Sequence, residues 1–172
     1  MIAAVETYLS GKLVAAGIPA KRIAQLAKDS RTRQMPFAEL FDPQENFQRD
    51  GSKASRDYDG ATQQATNAVR LYNRELALTV KIVHRSKAQL DTLFTSFLAS
   101  VERGFTDPLP APATGDQFIR IIPGTATWAD DPALLKDRAE VEMRFLFRGG
   151  VYQETTAGTT QQVNMPAVPN FT

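Results

Sequence analysis

The single histidine, His84, is the first candidate for a catalytic group, because imidazole titrates near neutral pH. It follows an alternating stretch at residues 76–82 and precedes a helical pattern that begins near Ser86. A general base needs a positioned partner and a pocket, and the nearest downstream acid, Asp91, lies one turn into that pattern. One histidine cannot form a two-histidine metal site. We therefore interpret His84 as a rim residue, hydrogen-bonded to backbone or water, and not as a catalyst.

Two pairs of carboxylates, Asp57 with Asp59 and Asp130 with Asp131, are the candidates for a cation site. Calcium and magnesium sites need several oxygen ligands at fixed spacings. The stretch "DYDG" lacks the downstream glutamate of a calcium loop, and Asp131 stands before Pro132, as turn-opening aspartates do. We therefore predict turn chemistry at both pairs, with no metal and no cofactor.

Local basic clusters occur at residues 30–33 ("SRTR") and 49–56. They could contact phosphate, or they could pair with Asp42, Glu45 and Asp50 in a solvated mixed-charge loop. No phosphate-binding loop, dinucleotide-binding glycine pattern or nucleophile-elbow motif is present in the sequence. The sequence therefore predicts a protein that is not an enzyme and acts through its surfaces.

Composition narrows the class of protein further. The chain has 172 residues, of which 42% are hydrophobic and 23% charged, with a net charge of +1 and no cysteine. That length favours one domain with an appendage, and the small net charge does not favour nucleic acid as the main partner. Without cysteine there is neither a disulfide nor a thiolate metal site. No stretch approaches 18 consecutive apolar residues, and the start does not read as a signal peptide, so we expect no membrane contact.

The first part of the chain has a helical pattern. Apolar residues recur at helical spacing at Ile2, Val5, Leu9 and Leu13. Gly17 is a plausible helix stop, and Pro19 could open a second short helix over residues 19–30.

The stretch from residue 74 to 104 predicts a strand followed by a helix. Even positions at residues 76–82 are apolar, as in a half-buried strand. Ser86 and Gln89 have the spacing of a capping box. Helical spacing follows at Leu90, Leu93, Phe94, Phe97, Leu98 and Val101, and Gly104 ends it.

Two further strands are predicted near the C-terminus. Residues 118–124 form a short strand that Pro123 and Gly124 stop, and a loop containing the only tryptophan follows. Residues 138–148 alternate between apolar and charged, and Gly149 with Gly150 suits a tight hairpin turn or a frayed strand end. We expect Leu78, Val80, Leu93, Phe94, Phe97, Val141, Met143 and Phe145 to form one core.

Two segments lack a pattern of their own. Residues 30–70 have weak periodicity and many turn formers, and residues 151–172 are polar with two prolines. Each segment carries isolated anchors for a subunit or partner contact: Arg31, Arg33, Phe37, Phe41, Phe47, Val163, Met165, Val168 and Phe171. The alternatives are a loop folded over its own domain and an unattached tail.

These elements predict an α+β fold: a small, mainly antiparallel sheet with two amphipathic helices on one face, a long insertion and an extended C-terminal arm. We expect one domain at residues 1–150, with the irregular insertion at about 30–70, and a polar arm at 151–172.

Four segments in this order resemble the tail terminator (tail-completion) family of long-tailed bacteriophages: the N-terminal helix, "ALTVKIVHRS", "KAQLDTLFTSFLASV" and "TWADDPALLKDRAEVEMRFLFR". The resemblance covers roughly residues 1–20 and 74–150. It implies a homo-oligomeric ring of six copies that ends growth of the tail tube. The implied partners are the tail-tube protein and a neck or connector protein, with DNA passing through unspecifically. The implied location is the virion tail or neck, after assembly in the host cytoplasm. No catalytic residues are implied.

Other functions remain open at this point. One is another neck or head–tail connector component. A second is a ferredoxin-like binding module, although an RNA-binding sheet would present outward aromatics where residues 138–148 present mostly charges. A third is a small hydrolase, which would have to rely on His84 and the acid pairs. A ring in solution favours a structural assembly protein, either a tail terminator or a neck component, and a monomer that binds RNA favours the binding module.

Overall fold

The computed structural model of the chain describes residues 1–24, 34–51, 53–59, 64–108, 116–129 and 138–158. Its helices are α1 (Ile2–Ala15) and α2 (Lys87–Ser100), with a 3₁₀ turn at Ala20–Arg22. Its strands are β1 (Ile23–Ala24), β2 (Phe37–Arg49), β3 (Lys53–Asp59), β4 (Gln64–His84), β5 (Gly104–Pro108), β6 (Asp116–Ala129) and β7 (Ala139–Gly158).

All seven described strands belong to one sheet, ordered β1-β2-β4-β7-β6-β5, with β3 also paired to β4. The β1–β2 pair is parallel and the other pairs are antiparallel, so the sheet is mixed. The predicted fold class, a small sheet with a long insertion, is therefore wrong. Most of the described residues belong to the sheet, and the two helices pack on one of its faces.

The predicted irregular insertion at 30–70 is mostly strand where the structure describes it. β2 pairs with β4 from residue 83 back to 72, and β3 pairs with β4 from residue 69 back to 64. β4 and β7 pair from His84↔Ala139 to Gln64↔Gly158, with one register shift between Arg70 and Tyr72. We call β3, with residues 64–70 and 152–158, the β-arm. Backbone hydrogen bonds between segments that are distant in the sequence hold the β-arm together. Because its residues are mostly polar, its sequence shows little alternation of apolar and polar residues.

The core lies between the two helices and one face of the sheet, here called the inner face. It includes Val5, Leu9 and Leu13 of α1 and Leu90, Phe94 and Phe97 of α2, with inward residues of β2, β4, β6 and β7. Phe97 meets Phe145 edge to face at 5.9 Å. The predicted core is confirmed, with Leu93 partly buried at its margin.

The helix boundaries agree with the predicted pattern in part. Gly17 follows α1 with a φ of 110°, a conformation that glycine adopts without strain. The predicted second helix is wrong, since one 3₁₀ turn leads directly into β1. Ser86 is the N-cap of α2, but its side chain makes no capping hydrogen bond. The predicted capping box therefore does not form.

The predicted stops at Pro123 and Gly149 are also wrong, because both strands run through them. A register shift between Pro123 and Ala126 absorbs the proline within β6. Gly124 lies so close to the Arg144 carbonyl that a Cβ would collide with it. Trp128, expected in a loop, lies in β6 and meets Phe94 edge to face at 5.6 Å. β7 likewise continues through its glycine pair to Gly158.

Candidate functional site

His84 lies at the end of β4, and its side chain accepts a hydrogen bond from the backbone. The Ser86 backbone N–H donates a hydrogen bond to His84 Nδ1 at 3.2 Å. Burial lowers the pKa of His84, and the positive charge of Arg85 lowers it further. The predicted backbone contact of a rim histidine is confirmed.

Both acid pairs were predicted to lie in turns, and for Asp57 with Asp59 this prediction is wrong, because both residues lie in a strand. Asp57 and Asp59 lie in β3, opposite Thr66 and Gln64 of β4. Asp130 and Asp131 lie outside the described residues. Within the described ranges, no three acidic or histidine side chains are grouped so as to hold a metal ion. Nor does any described helix have the length and apolar character needed to span a membrane.

The proposed contact residues have different surroundings. Phe37 is fully buried, with the Arg138 guanidinium 5.7 Å from its ring centre, so it packs within its own chain. Phe41 is half-buried and Phe47 is exposed. The remaining proposed residues, Arg31, Arg33, Val163, Met165, Val168 and Phe171, lie outside the described residues.

The outer face of the sheet, opposite the helices, carries charged side chains in cross-strand pairs. Lys81 Nζ lies 2.6 Å from Glu140 Oε2 and 3.0 Å from Glu142 Oε1. Burial lowers the pKa of Lys81, but the hydrogen bonds that its ammonium group donates to Glu140 and Glu142 outweigh that effect and raise its pKa overall. Arg138 also pairs with Glu140. These pairs favour the observed register of β4 and β7.

The same face leads to a cleft where the β-arm leaves the core. Its volume is about 400 Å³. Its lining residues come from β2, β4, β6 and β7: Gln48, Arg70, Asn73, Arg74, Glu75, Phe118, Arg148 and Gly149. Strand alternation places Asn73, Glu75 and Arg148 on the outer face, because their neighbours Leu76 and Phe147 are in the core.

We call Arg70, Phe118 and Arg148 the outer patch. Phe118 has 61% of its surface exposed, and its ring lies where a side chain on Gly104 would be. Arg70 donates hydrogen bonds to Asn73 Oδ1 at 3.2 Å and to the Tyr152 hydroxyl at 3.0 Å. The outer patch is therefore an exposed ring beside a held guanidinium.

Arg148, the third member of the outer patch, is held by one carboxylate. Its Nε lies 2.7 Å from Glu75 Oε1, while its side chain remains 52% exposed. Further along this face, Arg144 donates to Gln44 Oε1 at 2.6 Å. The cationic groups of this face are thus oriented by neighbours while their outer surfaces remain open to solvent.

On the inner face, just beyond the helices, lies a second exposed cluster. We call Phe47 and Tyr72 the inner patch: the rings meet edge to face at 6.5 Å, with 49% and 39% of their surfaces exposed. The Arg74 guanidinium lies 5.4 Å from the Phe47 ring centre, and Arg74 Nε donates to Glu45 Oε1 at 2.9 Å. Arginine and aromatic residues of this kind are enriched where protein interfaces have their strongest contacts.

Sequence reasoning identified Phe47 but missed Arg70, Tyr72, Phe118 and Arg148. The sequence contained a signal for Phe118. In a strand, a residue next to Ile119 points away from the face on which Ile119 and Ile121 are buried, so Phe118 lies on the opposite face. Arg70 was missed because its segment, residues 30–70, was interpreted as irregular, and Tyr72 lies between that segment and the predicted strand.

No family model matches this chain, and neither does any curated protein sequence. Among solved structures, the chain is similar to one in "Virion of native gene transfer agent (GTA) particle". The two share 9% sequence identity with a TM-score of 0.37, over 83% of this chain and 84% of that one. Similarity at that level does not establish a common fold.

Proposed function

We propose that this chain is a structural subunit of a virion-like particle, and that its specific role is that of a tail terminator. In this role, copies of the chain form a closed ring of six that ends growth of the tail tube and joins the tail to the neck. The chain is not an enzyme in this proposal. Its partners are further copies of itself, the tail-tube protein and a neck or connector protein.

The observation that carries the proposal is the pair of exposed, aromatic and cationic patches on opposite faces of one sheet. A subunit of a ring needs two different surfaces, because each copy contacts one neighbour on either side. The inner patch and the outer patch meet that requirement. The order of strand, helix and strands in the resemblance to tail terminators supports the same function.

The β-arm supports an assembly role for a second reason. A sheet of a few strands needs an apolar face or a covering element to be stable by itself. The residues of the β-arm are mostly polar and small. The β-arm includes the parts of β4 and β7 that extend beyond the helices. We propose that neighbouring copies in the ring cover it.

The segments that lie outside the described residues belong to the same proposal. Arg31 and Arg33 would contact a neighbouring copy. The anchors of the C-terminal segment, Val163, Met165, Val168 and Phe171, would dock on the next copy or the tube. Each buried apolar side chain contributes roughly 1.5–3 kcal/mol before ordering costs.

The small net charge of +1 is compatible with a ring through which DNA passes. Strong binding would need many phosphate contacts from a large basic excess. In this proposal the DNA touches the lumen without sequence-specific contacts, and the ring is assembled in the host cytoplasm before joining the virion.

The proposal is tested by the mass and shape of the purified chain. Sedimentation velocity and negative-stain imaging should show closed rings, and rings added to tail tubes should cap one end and stop elongation. Rings that bind a connector protein but do not bind tail tubes would instead favour a neck component. A monomer that binds RNA would overturn the proposal in favour of a binding module.

A further inference from the structure

The last part of β7 has an open edge among the described strands. On one side of β4, β2 pairs within residues 72–83 and β3 pairs within residues 64–69. On the side of β7 that faces away from β4, β6 pairs within residues 140–148, and no other strand joins that side in the ranges that the structure describes. The edge of β7 at residues 149–158 is therefore open there, although the matching length of β4 is covered.

Two contacts show which backbone groups of β7 point to that side. The Arg144 carbonyl oxygen lies against Gly124 of β6, and the Gly150 backbone N–H donates to Gln117 Oε1 at 3.2 Å. The backbone groups of successive strand residues point alternately to its two sides, so the even-numbered residues of β7 point to the side of β6. The backbone N–H groups that face the open edge are those of Tyr152, Glu154 and Thr156.

The segment that follows β7 has suitable residues to cover this edge. Unpaired N–H and C=O groups along a strand edge bind an extended polypeptide, because such a chain offers the complementary groups at the same spacing. Residues 159–172 come directly after β7 in the sequence. Gly158 permits a tight turn at the end of the strand. Thr159, Thr160 and Val163 are of residue types that favour strands.

The length of this segment also matches the open edge. Seven residues, 159–165, precede Pro166, and as a strand they span about 23 Å. A two-residue turn at residues 158–159 would bring Met165 opposite Tyr152. Pro166 has no N–H and cannot continue the pairing. It would fall beside Gly150, the point at which Gln117 already takes the backbone N–H of β7.

We propose that residues 159–165 turn back and add a strand to the open edge of β7, antiparallel to β7 and within the same chain. The β-arm then has four strands. Val163 and Met165, which are two residues apart, lie on one face of it. This inference goes beyond the proposed function and does not depend on the ring.

Two arguments favour β7 of the same chain as the acceptor. The segment begins where β7 ends, so its effective concentration at this edge is about millimolar, above that of a separate copy at micromolar concentration. The outer edge of β3 is the alternative within the chain, but the segment would have to cross β7 and β4 to reach it. Strands that follow each other in the sequence are usually neighbours in the sheet.

Hydrogen exchange resolved to single amides tests this pairing. In a variant that ends at Gly158, the amides of Tyr152, Glu154 and Thr156 should exchange at least about tenfold faster than in the full chain. The amides of Gln153 and Thr155, which face β4, should change much less. The melting temperature should stay the same, because the β-arm lies outside the core and opens locally.

A double substitution separates backbone pairing from the apolar anchors. Gln161→Pro with Gln162→Pro removes two successive N–H groups, one of which must face β7 in any register, and leaves Val163 and Met165 in place. It should speed exchange of the same three amides as the deletion does. Gln161→Thr with Gln162→Thr is the matched control, because it keeps both N–H groups, and it should exchange as the unaltered chain does.

Two results would overturn the inference. One is equal exchange of the three amides in the full chain, the deletion and the proline variant. The other is recovered protection in an isotope-labelled deletion variant mixed with an excess of the unlabelled full chain, since the segment of another copy would then occupy the edge. A chain that never forms rings contradicts the proposed function, but it leaves these exchange measurements equally decisive.

Discussion

At the scale of single residues, His84 contributes to local structure through its contact with the Ser86 backbone. Its pKa is lowered by burial and by Arg85 from an ordinary value of 6.5. The neutral imidazole is therefore favoured in the folded chain. The resulting stabilisation is fully present above pH 6.5 and is lost as the pH falls through the lower, folded pKa.

We predict that His84→Gln changes the free energy of unfolding by no more than about 0.5 kcal/mol at pH 7.5 and leaves assembly intact. Below pH 6, the unaltered chain should lose stability relative to the variant. Urea unfolding at several pH values measures both effects. A variant that folds and assembles but no longer functions in the particle would show that His84 has a chemical role.

Lys81 is the residue whose charge most clearly matters for the outer face. Lys81→Met keeps the aliphatic stem but removes the contacts to Glu140 and Glu142. We expect a loss of about 1–2 kcal/mol, between the values for surface pairs and for bonds to buried charges. The raised pKa of Lys81 makes this contribution fully present below pH 10.5 and lost as the pH rises through the folded pKa.

Lys21→Met is the control for Lys81, because Lys21 is exposed in the 3₁₀ turn. It should change stability by less than about 0.5 kcal/mol. Equal losses for the two lysine variants would mean that the outer-face pairs do not hold β4 and β7 together.

At the scale of elements, α2 packs against the central strands of the sheet. Phe97 is fully buried against Phe145, so Phe97→Ala should cost roughly 3–5 kcal/mol in unfolding free energy. Leu93, at the margin of the core, should lose less when changed to alanine. Thermal and chemical denaturation measure both variants. A loss below about 1 kcal/mol for Phe97→Ala would contradict the packing of α2 on the sheet.

These central elements were predictable because a buried face leaves a periodic signal. Apolar residues alternate with other residues in β4 near Leu78 and in β7 near Val141, as in a half-buried strand, and they recur at helical spacing in α2. The absence of a capping box at Ser86 was not predictable from spacing alone, since the same residues also fit a helix start without the side-chain bond.

The outer elements were not predictable for the opposite reason. β3 and the β-arm part of β4 are polar and small, and their strand structure depends on backbone pairing with residues far along the chain. Pro123 and Gly124 would end an isolated strand, but an irregular register in β6 accommodates them. The residues that line the cleft with Arg70, Phe118 and Arg148 come from four strands, so no local pattern could reveal it.

At the scale of the whole molecule, the C-terminal segment is expected to matter for assembly and not for folding. Removal of residues 159–172 leaves β7 complete to Gly158. We predict an unchanged melting temperature together with weaker rings or weaker tube binding, because the apolar anchors of this segment would be lost.

A full-length variant with Val163, Met165, Val168 and Phe171 changed to serine is the matched control for that deletion. It should reproduce the loss if the anchors are responsible, because only their apolar surface has changed. Undiminished rings and tube binding after the deletion would mean that this segment does not dock.

The central claim is that this chain works as a subunit of a closed ring. The most direct measurement is native mass spectrometry of the purified chain, paired with negative-stain imaging of the same sample. Our account predicts rings of six copies, with a mass of about 114 kDa, six times the 19.0 kDa of one chain. A single species of 19.0 kDa at concentrations of tens of micromolar, with no ring in the images, would contradict it.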